Sequence, residues 1–270
     1  MDIGSLFEIL TRLLLGLGIG FTIGMTGIGA GVLVMPSLIY IVGLSPVNAI
    51  GTGLLYAMLS RTYGVCEHMR LRTVRKRTAL YIAIGGVPAI IVTGLIVTHL
   101  AKTVSNIDSI MKIVISVVML MTWTLMLISL IKTYRDGPKK YYVPLESFPL
   151  RRKLYGVAAG AGVGVLVGAT SMGGGVLLIP ILATVFQLSP NNTVGTSMLV
   201  AIVMSTIGSF MYFLRGSMDI VVAVTMVLGS IPGVALGCRL SVKVPHRTLR
   251  LILFAVVTIS VIVMLAGIKR

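Results

Sequence analysis

Gly24-Met-Thr-Gly-Ile-Gly-Ala-Gly31 is one of two related glycine-rich stretches in this chain of 270 residues. The other is Gly168-Ala-Thr-Ser-Met-Gly-Gly-Gly175, which lies 144 positions further along. Both stretches interrupt apolar sequence, and each is followed by a short apolar run that contains a proline, Pro36 or Pro180. This spacing indicates that the chain contains a duplicated unit.

The duplication extends well beyond the glycines. The pattern Leu-Ser-Pro-x-Asn occurs at Leu44–Asn48 and at Leu188–Asn192, and a Gly-Thr pair follows each copy closely. The same offset still aligns Pro88 with Pro232. An internal repeat of this size in an apolar chain is typical of secondary transporters.

The composition places the chain in a membrane. Hydrophobic residues make up 56% of the sequence and charged residues only 11%, whereas soluble domains carry about 25% charged residues. The mean hydropathy is +1.04. Apolar runs longer than about 18 residues recur along the chain, which predicts spanning helices rather than a barrel. We therefore expect an all-α polytopic protein of the cell (cytoplasmic) membrane, with the lipid bilayer as its surroundings.

The net charge of +16 would suggest a nucleic-acid partner in a soluble protein. In an apolar chain, basic residues concentrated in a few loops instead hold those loops in the cytoplasm, so we expect no nucleic-acid partner. A second interpretation is that the excess positive charge also draws anions toward a pore.

The sequence divides into two repeats of five hydrophobic segments. We predict a first transmembrane repeat over residues 1–131, a basic cytoplasmic linker over 132–153 and a second repeat over 154–270. The amino terminus lacks a signal-peptide pattern, so we keep it in the mature chain. The predicted segments are Leu6–Ile23, Val32–Val42, Val47–Cys66, Ala79–Leu100 and Ile110–Ile131, then Leu154–Val167, Val176–Leu188, Thr193–Leu214, Ile220–Leu236 and Leu249–Ile268.

The second segment of each repeat is too short to cross a bilayer comfortably, because crossing takes about 20 helical residues. The segment Leu154–Val167 is short as well. Two geometries fit. In one, the first two segments of a repeat form a re-entrant hairpin with the glycine-rich stretch at its deep tip. In the other, all five segments cross, some of them tilted or in thinned membrane.

Basic residues predict the orientation of the loops. The loop after segment three, the central linker and the loop after segment nine are basic and are placed in the cytoplasm, while the loops after segments four and eight are placed outside. Equivalent loops thus lie on opposite faces, which predicts two inverted-topology repeats. Lys269 and Arg270, which this scheme places outside, are the exception. The cytoplasmic basic residues include Arg70, Arg72, Arg75, Lys76, Arg77, Lys139, Lys140, Arg151, Arg152, Lys153, Arg239, Lys243, Arg247 and Arg250.

The glycine-rich stretches are the first candidate binding site. Because glycine has no side chain, backbone N–H groups can approach a ligand, and the short segment that follows directs its free N–H groups and positive dipole end at it. Such a place suits an oxyanion. The alternative is that the glycines only permit close helix packing. The candidate residues are Thr26, Gly27, Gly29, Ala30, Gly31, Thr170, Ser171, Gly173, Gly174 and Gly175.

Asn48 and Asn192 are further candidates, but their position after Ser-Pro favours capping of the next helix. Thr52, Thr196 and Ser197 follow one turn deeper. Their hydroxyls either face a cavity as ligands or bond back to their own helix.

Arg61 lies deep in an apolar segment, at the position that Ser205 occupies in the second repeat. A charge at this depth is costly and marks a functional hypothesis. We expect Arg61 either to pair with an anionic substrate or to extend its guanidinium to the cytoplasmic face. Arg12 is a weaker case, and Glu67-His68 is either a proton relay or part of a loop.

The sequence contains no signature of an enzyme. There is no Walker loop, no His/Glu metal pattern and no Gly-x-Ser-x-Gly elbow, so we expect neither catalytic residues nor a cofactor nor a metal. Cys66 and Cys238 have no metal-ligand spacing and are interpreted as small apolar residues.

Together, a duplicated glycine-rich loop, a short apolar run to Pro36 or Pro180, and a turn before Gly51-Thr52 or Gly195-Thr196 resemble the sulfite exporter TauE/SafE family, also called the toluene sulfonate uptake permease family. The resemblance covers nearly the whole chain. It implies a small secondary transporter for sulfur-containing anions such as sulfite or organosulfonates. Ala30 departs from the fully glycine-rich pattern.

We therefore expect a transporter of a small anion, working by alternating access with the anion between the two glycine-rich loops. A coupling ion (H⁺ or Na⁺) and a homodimer are partners that the sequence leaves open, as are the exact substrate and the direction of transport. The alternatives are a passive anion channel and a membrane redox or assembly factor that uses Cys66 and Cys238. Replacement of both cysteines by serine separates the last alternative from transport.

The predicted inversion is testable by accessibility. Single cysteines placed at Arg72 and Lys243 should react with an impermeant reagent only from the cytoplasm, and one at Ser217 only from outside, because equivalent loops lie on opposite faces. Labelling is measured on intact cells and on inverted vesicles. Reaction of the Ser217 site from the cytoplasm alone would refute the inversion.

Overall fold

The computed structural model describes residues 3–26, 31–70, 72–136, 150–172, 174–175, 177–241 and 246–268, and in these ranges the chain is helical and contains no strand. Each repeat holds five α-helices, and a π-helical turn over Ser37–Ile41 continues the second one. The helices are α1 Ile3–Thr26, α2 Gly31–Pro36, α3 Pro46–Arg70, α4 Lys76–Thr103, α5 Ile107–Asp136, α6 Leu150–Thr170, α7 Leu178–Thr184, α8 Pro190–Leu214, α9 Ile220–Ser241 and α10 His246–Ile268.

The prediction of an all-α polytopic membrane protein is confirmed. Within the described residues six helices are long and apolar enough to cross a membrane. Helix α3, which carries Arg61, is not one of the six, although its counterpart α8 is. The six candidate spans are Leu6–Met25, Lys76–Thr103, Ile107–Ile128, Leu150–Thr170, Asn192–Leu214 and Ile220–Gly237.

Two predicted boundaries differ from the structure. The segment predicted as the short Leu154–Val167 belongs to α6, which has 21 residues and is long enough to span. The prediction excluded Arg151 to Lys153, but basic side chains at a helix end can extend to the membrane interface. Helix α5 continues to Asp136, so helices cover both ends of the predicted linker. Residues 137–149 of that linker lie outside the described residues.

The short helices do not cross the bilayer by themselves. Helix α7 has 7 residues, and the rise of about 1.5 Å per residue gives it a length of about 10 Å. Helix α2 with its π-helical extension covers residues 31–41, which corresponds to about 16 Å. Both lengths fall well short of a hydrocarbon core of about 30 Å.

Helices pack mainly between the repeats rather than within them. Helix α1 packs along α9 and α4 packs along α6, and these two pairs are equivalent under the sequence offset. The contacts repeat residue by residue: a Cβ on Gly16 would overlap the carbonyl oxygen of Met226, and a Cβ on Gly160 would overlap that of Ile82. Small residues let helix backbones approach closely in membranes.

The equivalent helices α3 and α8 pack against each other in opposite directions. Gly51, near the start of α3, lies against the carbonyl oxygen of Ser217, just beyond the end of α8. Correspondingly, a Cβ on Gly195, near the start of α8, would lie 2.8 Å from Oγ1 of Thr73, just beyond the end of α3. The contacts of these two helices are therefore reciprocal: the start of each helix lies beside the residues that follow the end of the other.

Two equivalent hydrogen bonds join the repeats. The backbone N–H of Asp219 donates to Oγ1 of Thr52 over 2.9 Å. The backbone N–H of Arg75 donates to Oγ1 of Thr196 over 3.0 Å. Each threonine thus satisfies a backbone donor immediately before the first turn of a helix in the other repeat, where helical donors lack partners.

The glycine contacts between helices predict that Gly→Ala substitutions at neighbouring positions differ in their effect on stability. Gly16→Ala and Gly160→Ala should each destabilise the protein by about 1–3 kcal/mol or prevent folding, because the new methyl group has no room. Gly18→Ala and Gly162→Ala are matched controls, since a Cβ at either site meets nothing within 4 Å. Thermal unfolding of purified protein in detergent provides the measurement. Equal unfolding temperatures for all four variants would contradict the packing argument.

Candidate functional site

The two glycine-rich stretches come together in the structure. Gly31, which opens α2, packs so closely on the second stretch that a Cβ there would lie 2.7 Å from the carbonyl oxygen of Ser171. Helix α3 contributes Gly53, where a Cβ would lie 3.0 Å from Oγ of Ser171 and 3.4 Å from Cγ1 of Val34. Ser171 therefore lies where the first repeat meets the second glycine-rich stretch.

Serine, not glycine, makes the sharp turn in the described part of the second stretch. Ser171 has a left-handed backbone with φ of 55°, a conformation that is uncommon for residues other than glycine. Thr170 is fully engaged, since its hydroxyl donates to the Leu166 carbonyl over 2.6 Å and accepts from the Met172 N–H over 3.2 Å. The Ser171 side chain is buried, and its hydroxyl has no hydrogen-bond partner among the described residues.

The second stretch is held in place by α8. Tyr212 donates its hydroxyl to the carbonyl oxygen of Gly168 over 2.8 Å. Gly174 packs beside Ala201, at 3.1 Å between a Cβ built on the glycine and the alanine Cβ. Gly175 is buried as well. The predicted site residues Gly27, Gly29, Ala30 and Gly173 and the side chain of Thr26 lie outside the described residues.

The asparagines lie at helix starts. The backbone N–H of Asn48 is 3.4 Å from Oγ of Ser45, which precedes α3. When the side-chain amide of Asn192 is oriented so that both its nitrogen and its oxygen have partners, the nitrogen donates to the Thr73 carbonyl over 3.1 Å. The oxygen then accepts from Nη2 of Arg75 over 3.2 Å. Asn192 thus joins the start of α8 to the loop after α3.

The hydroxyls of Thr52, Thr196 and Ser197, one turn further along α3 and α8 than the asparagines, also form hydrogen bonds within the protein. Thr52 and Thr196 accept the hydrogen bonds that join the repeats. Ser197 donates to the Val194 carbonyl of its own helix over 2.9 Å. Of the hydroxyls that the sequence singled out and the structure describes, Ser171 alone has no partner among the described residues.

Arg61 lies in the middle third of α3 and is only 7% exposed. No described carboxylate pairs with it, whereas Arg12 is bonded to Glu8 over 2.9 Å. The side chain of Tyr56, on the same helix, lies near Arg61. Because an isolated buried charge is expensive, an unpaired guanidinium here is suited to receive an anion.

Two further hydroxyls on α3 lack partners among the described residues, and sequence analysis did not single them out. Tyr56 is completely buried and Ser60 is 7% exposed. The side chain of Ser230 on α9 lies beside the Tyr56 hydroxyl, but no hydrogen bond of good geometry forms there. The only signal in the sequence was that both residues stand within five positions of Arg61.

His68 lies at the opposite end of α3 from the glycine-rich stretches. Its Nδ1 is 2.9 Å from Oγ1 of Thr73, and that hydroxyl also donates to the His68 carbonyl over 3.0 Å. The side chain of its neighbour Glu67 lies outside the described residues. The proton relay suggested by this pair stays a prediction.

Comparisons with known proteins agree with this architecture. The family model described as "Sulfite exporter TauE/SafE" matches residues 12–264. The chain is similar to the probable membrane transporter protein YjnA of Bacillus subtilis (strain 168), with 30% identity over 92% of this chain and 96% of the relative. It is also similar to the probable membrane transporter protein YunE of the same organism, with 26% identity over 88% of this chain and 90% of the relative. No solved structure shows significant similarity to the chain. The chain belongs to the sulfite exporter TauE/SafE family and is a multi-pass membrane transporter.

Proposed function

We propose that this protein is a secondary transporter that moves a small sulfur-containing anion, such as sulfite or a sulfonate, across the cytoplasmic membrane by alternating access. The observation that carries the proposal is Arg61, a buried guanidinium with no carboxylate partner among the described residues. The family description names sulfite export, which agrees with an anionic substrate.

Two places in the structure suit the anion. Arg61 supplies a full positive charge, and the glycine-rich stretches around Ser171 supply backbone N–H groups. Gly53 packs on Ser171, and Arg61 follows eight residues later on the same helix. At about 1.5 Å per residue this separation is about 12 Å along α3. We place these two groups along one pathway rather than in a single shell around the anion.

The arrangement of the two repeats supports the proposal of alternating access. Helices α3 and α8 run in opposite directions, so a pseudo-two-fold axis perpendicular to them would lie in the membrane plane if both helices cross the bilayer. The short helices favour re-entrant hairpins, α1 with α2 and α6 with α7, whose tips meet where Gly31 contacts Ser171. Rocking of one repeat against the other would then expose this region to each side in turn.

The proposal also includes the orientation of the linker and the partners of the protein. The basic loops place the linker in the cytoplasm. Coupling to H⁺ or Na⁺ and assembly as a homodimer complete the proposal.

Removal of the guanidinium tests the proposed site. Arg61→Ala should lower uptake of radiolabelled sulfite into proteoliposomes at least about tenfold, because the anion loses its charge partner. Arg61→Lys should retain part of the activity, since lysine keeps the charge but loses the planar fork. Arg12→Ala is the matched control, because Arg12 is bonded to an exposed glutamate and such pairs contribute little.

The same vesicles distinguish a transporter from a channel. A transporter shows saturable flux and exchanges internal unlabelled sulfite for external label, whereas a channel shows neither. Normal transport by a correctly folded Arg61→Ala protein would remove the site proposed here.

The glycine-rich stretch should respond to side-chain size. Gly174→Ala should be mild, because Ala30 stands at the equivalent position and the closest atom to the new methyl group is the Cβ of Ala201 at 3.1 Å, which a small shift can accommodate. Gly174→Val should be severe, and Gly173→Ala and Gly175→Ala should be severe because both counterparts are glycine. In the severe variants, sulfite-dependent thermal stabilisation should decrease even where the expression level is unchanged. Normal sulfite binding in all four variants would make the stretch a packing device.

A further inference from the structure

Four buried hydroxyls have no hydrogen-bond partner among the described residues: those of Tyr56, Ser60, Thr122 and Ser171. Other buried hydroxyls have partners: that of Thr98 donates to the Gly94 carbonyl of its own helix over 2.7 Å, and that of Thr52 accepts from the opposite repeat. A hydroxyl buried without a partner costs free energy, so each such group requires an explanation.

Three of these four hydroxyls, those of Tyr56, Ser60 and Ser171, lie along one face of α3. Tyr56 and Ser60 follow Gly53 by three and seven residues, which places all three on one face of the helix. Ser171 lies against this face at Gly53. From Gly53, Tyr56 lies about 4.5 Å and Ser60 about 10 Å further along the helix axis. This line of hydroxyls therefore begins at the second glycine-rich stretch and ends beside Arg61.

Arg61 belongs to the same cluster. It directly follows Ser60 on α3 and lies near Tyr56. These groups offer hydroxyl donors and a guanidinium, but the described surroundings contribute no carboxylate. A cluster of buried donors around a positive charge is complementary to a polyatomic anion with several acceptor oxygens.

The second repeat lacks this cluster. The positions equivalent to Tyr56, Ser60 and Arg61 are Val200, Met204 and Ser205. The hydroxyl of Ser205 donates to the Ala201 carbonyl over 2.7 Å and is satisfied.

Apolar groups fill the corresponding place. Gly86 is the counterpart of Ser230, and the terminal methyl group of Met204 lies where a Cβ on Gly86 would be. The repeats therefore share their backbone contacts but differ in chemistry at this point.

We propose that the hydroxyls of Tyr56 and Ser60, together with that of Ser171, donate hydrogen bonds to the oxygens of the transported anion as it moves between the glycine-rich stretch and Arg61, so that α3 offers polar groups along this part of the path that its counterpart α8 does not. This inference rests on the proposed function. It assigns the substrate class as an oxyanion whose separate oxygens are each recognised, in contrast to a monatomic halide.

The test removes one hydroxyl at a time. Tyr56→Phe and Ser60→Ala keep the shape of the side chain and should each raise the dissociation constant for sulfite roughly tenfold or more, because a hydrogen bond to a charged group is lost. Affinity is measured by sulfite-dependent thermal stabilisation of purified protein and by the KM of uptake into proteoliposomes. Any chloride-dependent stabilisation should change much less, since a monatomic ion has no separate oxygens to be recognised.

Ser205→Ala is the matched control. It removes a buried hydroxyl at the position equivalent to Arg61, but that hydroxyl already bonds to its own helix, so sulfite affinity should stay at the wild-type value. An equal loss of affinity in Ser205→Ala would overturn the proposed asymmetry.

The outcomes separate this inference from the proposed function. If Arg61→Ala abolishes sulfite binding while Tyr56→Phe and Ser60→Ala bind sulfite like the wild type, the hydroxyls are satisfied by water and the inference is overturned. If both hydroxyl variants unfold at a higher temperature without any change in sulfite affinity, the inference fails in the same way. If Arg61→Ala also binds sulfite normally, the proposed function loses its site as well.

Discussion

Close approach of helix backbones across the two repeats is the constraint on which the rest of the structure depends. In lipid, apolar side chains gain little by leaving one apolar environment for another, so helices associate through packing at small residues. Gly16 and Gly160 place α1 against α9 and α6 against α4 with no room for a methyl group. Each repeat thus contributes one helix to each of these pairs, and neither repeat can bury its contact surface alone.

The packing of helices from one repeat on helices of the other also determines where non-helical backbone can lie. Irregular backbone at membrane depth is tolerated only where protein surrounds it, because lipid offers no hydrogen-bond partners. The stretch around Ser171 meets this condition, since α2 and α3 cover it from one repeat and Tyr212 of α8 binds the Gly168 carbonyl from the other. Arg61 is buried as well, and electrostatic interactions are stronger where the protein excludes water.

The sequence predicted the helices of this fold well, because apolar runs and the constant offset between the two repeats are visible in the sequence itself. It placed the short helices after the glycine-rich stretches correctly but truncated α6, since the basic residues from Arg151 to Lys153 read as loop. The hydroxyls of Thr52 and Thr196 were assigned to ligand binding or to their own helices, whereas they accept hydrogen bonds from the opposite repeat. Such partners are distant in sequence, so no local pattern identifies them. Tyr56 and Ser60 were missed for a related reason: a hydroxyl without a partner is recognised only when its surroundings are known.

The contrast between a symmetric scaffold and an asymmetric polar cluster has a physical basis. The proposed alternating access needs two conformations of similar free energy. Equivalent contacts in the two repeats would favour this, because exchanging the roles of the repeats would leave the backbone packing almost unchanged. A duplicated charge would have the opposite effect. A second arginine at position 205 would add another costly buried cation, and if it lay near Arg61 the two would repel each other. Ser205 avoids this cost, and Met204 fills the space beside Gly86 without a polar atom.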